Sequence, residues 1–220
     1  MRYRVQVLGW TLIWSGVFVF GYLAWQLWVT DWISAGIQEE AAQEVEQDLA
    51  GFEPVPQTID DGDQVISYYP EEPVARGNPF GFISIPAIGV DDVVIYEGVD
   101  RDTLKNGPGH MTTTQLPGQP GNAVMSGHRT TYGRPFFDFD LLQTGHEIEV
   151  RTKVGTHVYA IREMRVVAPT DVWVTNPRDG GWLTLTTCEP KFSSRQRLVV
   201  FAEMIEGPNY AFIESQKSQG

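Results

Sequence analysis

The chain has 220 residues, 42% hydrophobic and 20% charged, with one cysteine and a formal net charge of −12. That length predicts about one domain with an appendage, and the acidic balance argues against a nucleic-acid partner, which needs a clustered basic face. A single cysteine excludes an internal disulfide and every multi-cysteine zinc or iron–sulfur site.

Residues 5–30 carry no charged side chain, between Arg4 and Asp31. Within them residues 7–28 are almost all apolar or small, with Gln26 the one strongly polar intruder. As a helix, those residues span about 33 Å, enough to cross a bilayer. Arg2 and Arg4 precede the run, and Asp31, Glu39 and Glu40 follow it. Positive charge stays inside, so the N-terminus is expected in the cytoplasm and the remainder outside. Trp25, Trp28 and Trp32 fall where an interfacial aromatic belt belongs. A cleaved signal peptide, with Ser34-Ala35-Gly36 as its small-residue site, is the rival. Signal cores run about 7–15 apolar residues and this run is longer, so residues 1–32 are read as a cytoplasmic tip and single-pass anchor in the cell membrane.

Residues 33–50 are rich in Ala, Glu and Gln and predict a helical stalk. Residues 51–79 carry Pro54, Pro56, Pro70, Pro73 and Pro79 and the acidic cluster Asp60-Asp61-Gly62-Asp63. This composition predicts a linker holding the following unit off the membrane. The cluster lacks the remaining ligands of a calcium loop, which favours a solvated linker.

From Phe80 the pattern changes to short strands broken by Gly and Pro. Strands are expected over 80–85, 93–96, 123–126, 148–152, 158–167, 183–188 and 198–201, with short helices near Thr103 and over 136–142. About eight short strands in such a span predict an all-β unit over 80–206, a closed or nearly closed barrel, with 207–220 as a tail.

Cys188 ends the strand 183–188, and Glu189-Pro190 stops the pairing there. A free cysteine is commonly a small buried hydrophobe, but an unpaired one in an exported protein can equally be a reactive thiol. His128 closes another strand-like segment, and Arg197 opens the strand after Cys188. Three strand ends could bring a nucleophile, an acid–base group and a permanent cation together.

These residues resemble the sortases, cysteine transpeptidases of Gram-positive cell surfaces. The likeness covers residue 80 to about 204 plus the anchor. It rests on Thr184-Leu185-Thr186-Thr187-Cys188 followed by Arg197, and on Gly127-His128. Gly107-Pro108-Gly109-His110, the run Gly127-His128-Arg129-Thr130-Thr131-Tyr132-Gly133, Pro135-Phe136 and Gln26-Leu27-Trp28 resemble the actinobacterial class E members more narrowly. The resemblance implies an eight-stranded sortase-type closed β-barrel with short helices, preceded by the transmembrane helix. It implies Cys188 as nucleophile, His128 as acid and base, and Arg197 as oxyanion and carbonyl donor, with Thr187 in support and His110 near the substrate groove. No cofactor or metal is expected, since four histidines spread across 48 residues without metal spacing give no zinc site, and Asp171 and Asp179 alone do not establish a calcium loop. His146 is expected in a turn and His157 facing outward on a strand.

The implied donor is a surface protein with a C-terminal sorting motif, Leu-Ala-x-Thr-Gly or Leu-Pro-x-Thr-Gly, cleaved between Thr and Gly. The implied acceptor is an amine of a lipid-linked peptidoglycan precursor, with membrane lipid as the shared surface. A pilus-building class C enzyme is a neighbouring reading, but its Asp-Pro-aromatic lid has only Asn78-Pro79-Phe80 as counterpart here. A cysteine hydrolase that releases the peptide to water competes with the transpeptidase, as does a sortase-like binding module without catalysis.

Overall fold

The computed structural model describes residues 2–60 and 65–217. Asp61, Gly62 and Asp63 of the acidic cluster lie outside the described residues, as do the side chains of Asp60, Gln26, Leu27 and Trp28. The chain begins with a helix, α1 (Arg2–Ala50), which no proline interrupts. Its segment Tyr3–Leu23 is long and apolar enough to cross a membrane, and none of it is buried. The expected stalk helix is therefore the second half of one continuous helix.

In the segment read as a linker, β1 (Gln57–Asp60) and β2 (Val65–Tyr68) form an antiparallel pair. The residues that follow are tied down. The Asn209 side chain accepts from the Tyr69 amide at 2.7 Å and donates to its carbonyl at 2.8 Å. Glu71 accepts from the Thr152 hydroxyl and the Val154 amide. These bonds fasten the segment to the barrel.

Next come β3 (Pro79–Ile85), β4 (Val90–Glu97), α2 (Arg101–Asn106), β5 (Gly109–His110) and β6 (Gly121–Ser126). They are followed by β7 (Glu147–Thr152), β8 (Gly155–Val167), β9 (Gly181–Glu189), β10 (Gln196–Glu206) and α3 (Tyr210–Lys217). Asp100 caps α2, its carboxylate accepting from the Asp102 and Thr103 amides. The eight strands β3–β10 close a barrel in the order β10-β8-β7-β3-β4-β5-β6-β9. Pairs β4–β5 and β6–β9 are parallel and the rest antiparallel, so the barrel is mixed. Seven strands coincide with the periodic runs of the sequence. The eighth, β5, has two residues and is too short to leave a periodic signal.

Ile83, Ile85, Ile95, Met125, Leu183, Leu185 and Val200 fill the interior together with Phe136 and Phe139. Those two rings stack at 4.1 Å and close the upper end, where β6 and β9 finish. Two patches of the outer wall are also covered. Phe82, Val94 and Tyr96 pack under Ala41 and Val45 of α1. Val199 and Phe201 pack under Val174, which explains why residues 198–201 read as unbroken hydrophobe rather than alternation. His157 is fully buried, against the expected outward orientation. Gly118 and Gly207 press on its ring so closely that a Cβ at either would collide with it.

Candidate active site

The upper rim of the wall formed by β6, β9 and β10 gathers the three strand-end residues. On β9, Leu183 and Leu185 face the interior, so the alternate residues Thr184, Thr186 and Cys188 face outward. Arg197 of β10 lies directly opposite Cys188 in the antiparallel register and shares its face. On the other side β6 runs parallel to β9 up to the pair Ser126–Thr186. Two residues further along that register stand His128 and Cys188. Adjacent strands lie about 4.8 Å apart, so Arg197 on β10 and His128, two residues past the end of β6, flank the cysteine.

Local bonds hold this rim. The Gly127 amide donates to the Thr186 carbonyl at 3.1 Å. The Thr187 hydroxyl, fully enclosed, donates to the Gly127 carbonyl at 2.8 Å. Ser126 and Thr186 join hydroxyls at 2.8 Å on the outer face just below the cysteine. Gly127 points inward, where a Cβ would stand 2.5 Å from the Phe136 ring. Glycine is required there, and its inward orientation turns His128 outward.

Cys188 is the one cysteine and is part-exposed. His128 rests against the Tyr132 ring at 5.1 Å between centroids, and its buried Nε2 has no hydrogen-bond partner. Burial lowers its pKa from the ordinary value near 6.5, so the neutral imidazole predominates at neutral pH. Arg197 uses Nη1 on the Ser194 and Gln196 carbonyls at 3.1 and 3.0 Å, which fixes the guanidinium and leaves its other nitrogens for a ligand. Thr187 faces the interior, opposite to Arg197, and so acts on the His128 loop rather than on the guanidinium.

His110 is not part of this cluster. It lies inside the barrel with Nδ1 at 2.7 Å from Glu97 and Nε2 at 2.8 Å from the Gln115 carbonyl. Both ring nitrogens are engaged, which gives it a role in tying β4, β5 and the following loop together. His146 sits in the turn before β7, its Nδ1 accepting from the Gln143 amide at 3.3 Å. Asp171 accepts from the Ala168 amide within its own turn.

A further residue joins this rim. Arg129, next to His128, is 2% exposed. It donates to the Cys188 carbonyl at 3.2 Å, to Asp140 at 2.8 Å, to the Phe137 carbonyl at 3.3 Å and to Glu189. It joins the backbone of the cysteine to the loop after β6. Its place beside a strand-end histidine was visible in the sequence, but its partners 11 and 60 residues away were not.

The family model of the sortase domain matches residues 83–205. The chain belongs to the sortase family. Sortase SrtE1 of Streptomyces coelicolor is 29% identical over 217 residues, a match covering 91% of this chain and 57% of that protein. This sortase thus spans little more than half the length of that relative. Sortase D of Bacillus subtilis is 29% identical over 182 residues, covering 81% of this chain and 86% of that one. Among solved structures, sortase E from Streptomyces avermitilis shares 38% identity at a TM-score of 0.56, covering 60% of this chain and 91% of that one. The sortase D5 transpeptidase of Clostridium perfringens gives a TM-score of 0.63 at 27% identity, with 78% of this chain and 99% of that one covered. Sortases are transpeptidases, and the class E proteins are among the relatives found in both comparisons.

Proposed function

We propose that this sortase is a single-pass membrane enzyme of the class E type, with its N-terminus in the cytoplasm and its barrel outside. It cleaves a C-terminal Leu-Ala-x-Thr-Gly or Leu-Pro-x-Thr-Gly motif between Thr and Gly and passes the threonyl group to an amine of a lipid-linked peptidoglycan precursor. The observation that supports this reading is the register that sets Cys188 opposite Arg197, with His128 just past the end of the neighbouring strand β6.

In the first step the Cys188 thiolate attacks the threonine carbonyl, and the C–S bond forms as the C–N bond to glycine breaks. The reacting form is the minority in which the Cys188 thiol has passed its proton to His128, and that imidazolium gives the proton to the departing amine. Arg197 cannot serve as an acid or base; its free N–H groups donate to the oxyanion of the tetrahedral intermediate. In the second step the acceptor amine attacks the thioester, loses its proton to His128, and releases the thiolate. The outward hydroxyls of Ser126 and Thr186 form the polar floor on which the peptide lies.

Mass spectrometry of the full chain in detergent, with both motif peptides and a series of amines, tests the reading. Cys188→Ala is expected to abolish the thioester adduct and all product. A fully active variant would overturn it. Product that forms equally well without an amine identifies a hydrolase, and a chain with no turnover and an unreactive thiol identifies a binding module.

A further inference from the structure

We propose that the second half of α1 is a rigid strut that turns the catalytic end of the barrel toward the bilayer and fixes its height. The direction follows from where the helix touches the wall. Near its membrane side, the buried Ser34 stands beside Gly133, 3.6 Å from where a Cβ would be. Gly133 belongs to the loop whose Tyr132 packs on His128. Fourteen residues later, Asp48 pairs with Lys153 at 3.1 Å, in the turn between β7 and β8. That turn is at the lower end, because β8 finishes at Val167 opposite Arg197 and therefore starts far from it. The helix thus runs from the catalytic rim to the opposite end. Its length between these contacts, about 21 Å, matches the roughly 23 Å of β9 from Gly181 to Cys188.

The docking is specific along the way. β5 covers only Tyr96 and Glu97 of β4, leaving the edge at Val94 open. Gln38 closes it: its oxygen accepts from the Val94 amide at 2.8 Å, and its nitrogen donates to the Val94 and Asn106 carbonyls at 3.2 and 2.6 Å. An amide that satisfies both groups of an open strand edge replaces the missing strand. Ala41 and Val45 bury Phe82, Val94 and Tyr96 below it, and Glu46 pairs with Arg151 at 2.7 Å. Leu23, the end of the membrane-length segment, precedes Ser34 by eleven residues, which as helix is about 16 Å. The rim therefore faces the membrane at short range. A motif tethered in the same bilayer is therefore reached when its reacting carbonyl stands only a short distance above the surface.

The orientation rests on the helix-to-wall contacts and on Tyr3–Leu23 of α1 spanning the bilayer. The consequence for substrates rests also on the proposed sortase reading, and the two fail separately. For orientation, the full chain in lipid nanodiscs carries Cys188→Ala and one fluorophore, on Phe192→Cys at the catalytic rim or on Thr156→Cys at the lower end; both sites are exposed. Spin-labelled lipid headgroups are expected to quench the first strongly and the second little. Equal quenching, or the reverse order, overturns the strut whatever the enzyme does. For height, seven alanines between Trp32 and Ile33 raise the barrel by about 10 Å without rotating its docked face by more than about 20°. Turnover of a free motif peptide is expected within twofold of the parent, while a bilayer-tethered motif loses roughly tenfold as its effective concentration at the thiol falls. About three extra residues between motif and tether, roughly 10 Å of extended chain, are expected to restore it. Tethered and free substrates responding alike, or no recovery with the longer spacer, overturns the height rule. A parent chain that turns over neither substrate instead rejects the proposed transfer of these motifs and leaves the quenching result standing.

Discussion

His128 and Arg129 are neighbours in the chain with opposite surroundings. The histidine stands half-buried on the rim with a nitrogen unpartnered, while the arginine is swallowed and spends its donors on four acceptors. A buried guanidinium is costly to desolvate, and it is tolerated here because Asp140 and Glu189 offset its charge. Removing it leaves the Cys188 carbonyl and Glu189 without their donor. Arg129→Met is expected to lower unfolding free energy by about 3–5 kcal/mol in denaturant titrations of the full chain. Arg129→Lys should recover less than half of that, because an ammonium cannot reproduce the planar fork that reaches both carboxylates. A loss under about 1 kcal/mol for Arg129→Met would show that the network contributes little.

At the scale of elements, the distinctive feature is a helix that serves as a strand's neighbour. β5 is too short to complete the edge of β4, and Gln38 of α1 supplies the missing donors and acceptors. The helical character of residues 33–50 was legible in their Ala, Glu and Gln content. The docking was not, since Ala41, Ala42 and Val45 are a thin apolar stripe that reads equally well as a solvated stalk. Nor were the pairing of 57–60 with 65–68 and the clamp of Asn209 on Tyr69 readable in a segment punctuated by prolines. Gln38→Ala leaves three backbone groups without a partner and is expected to cost about 1–3 kcal/mol. Limited proteolysis should then cut α1 between residues 33 and 50 faster than in the parent, while the barrel strands stay protected. Unchanged cleavage would mean that Gln38 does not hold the helix.

For the whole molecule, stability depends on groups sealed into the lower end. His157 is enclosed by Thr152, Gly118 and Gly207, and burial pushes its pKa down to about 4. The unfolded chain holds the same group near 6.5, so the fold favours the neutral ring. Its contribution is complete above about pH 6.5 and is lost as the pH falls toward 4, by up to about 1.4 kcal/mol per pH unit. Glu71, whose carboxyl burial pushes up, works in the opposite sense, so the comparison must be made with a variant. His157→Gln is expected to flatten the fall in unfolding free energy between pH 7 and pH 4. An unchanged slope would assign the acid sensitivity to other groups.

Alternation along 183–188, the unbroken run at 198–201 and the glycine breaks between runs expressed the barrel in the sequence, because period and length are local properties. The uncharged N-terminal stretch was legible in the same way. So were the residue types that point to thiol chemistry at strand ends. Other properties depend on which strands become neighbours, and that is decided by closure of the barrel. The parallel pairing of β6 with β9 brings residues 60 positions apart side by side, setting His128 beside Cys188 and burying Arg129 against its carbonyl. The same closure placed His110 and His157 inside, where the sequence had one near the substrate groove and the other facing solvent. It also left open the strand edge that α1 came to cover. An open backbone edge must find partners, and the amino-acid sequence does not reveal in advance which residues will supply them.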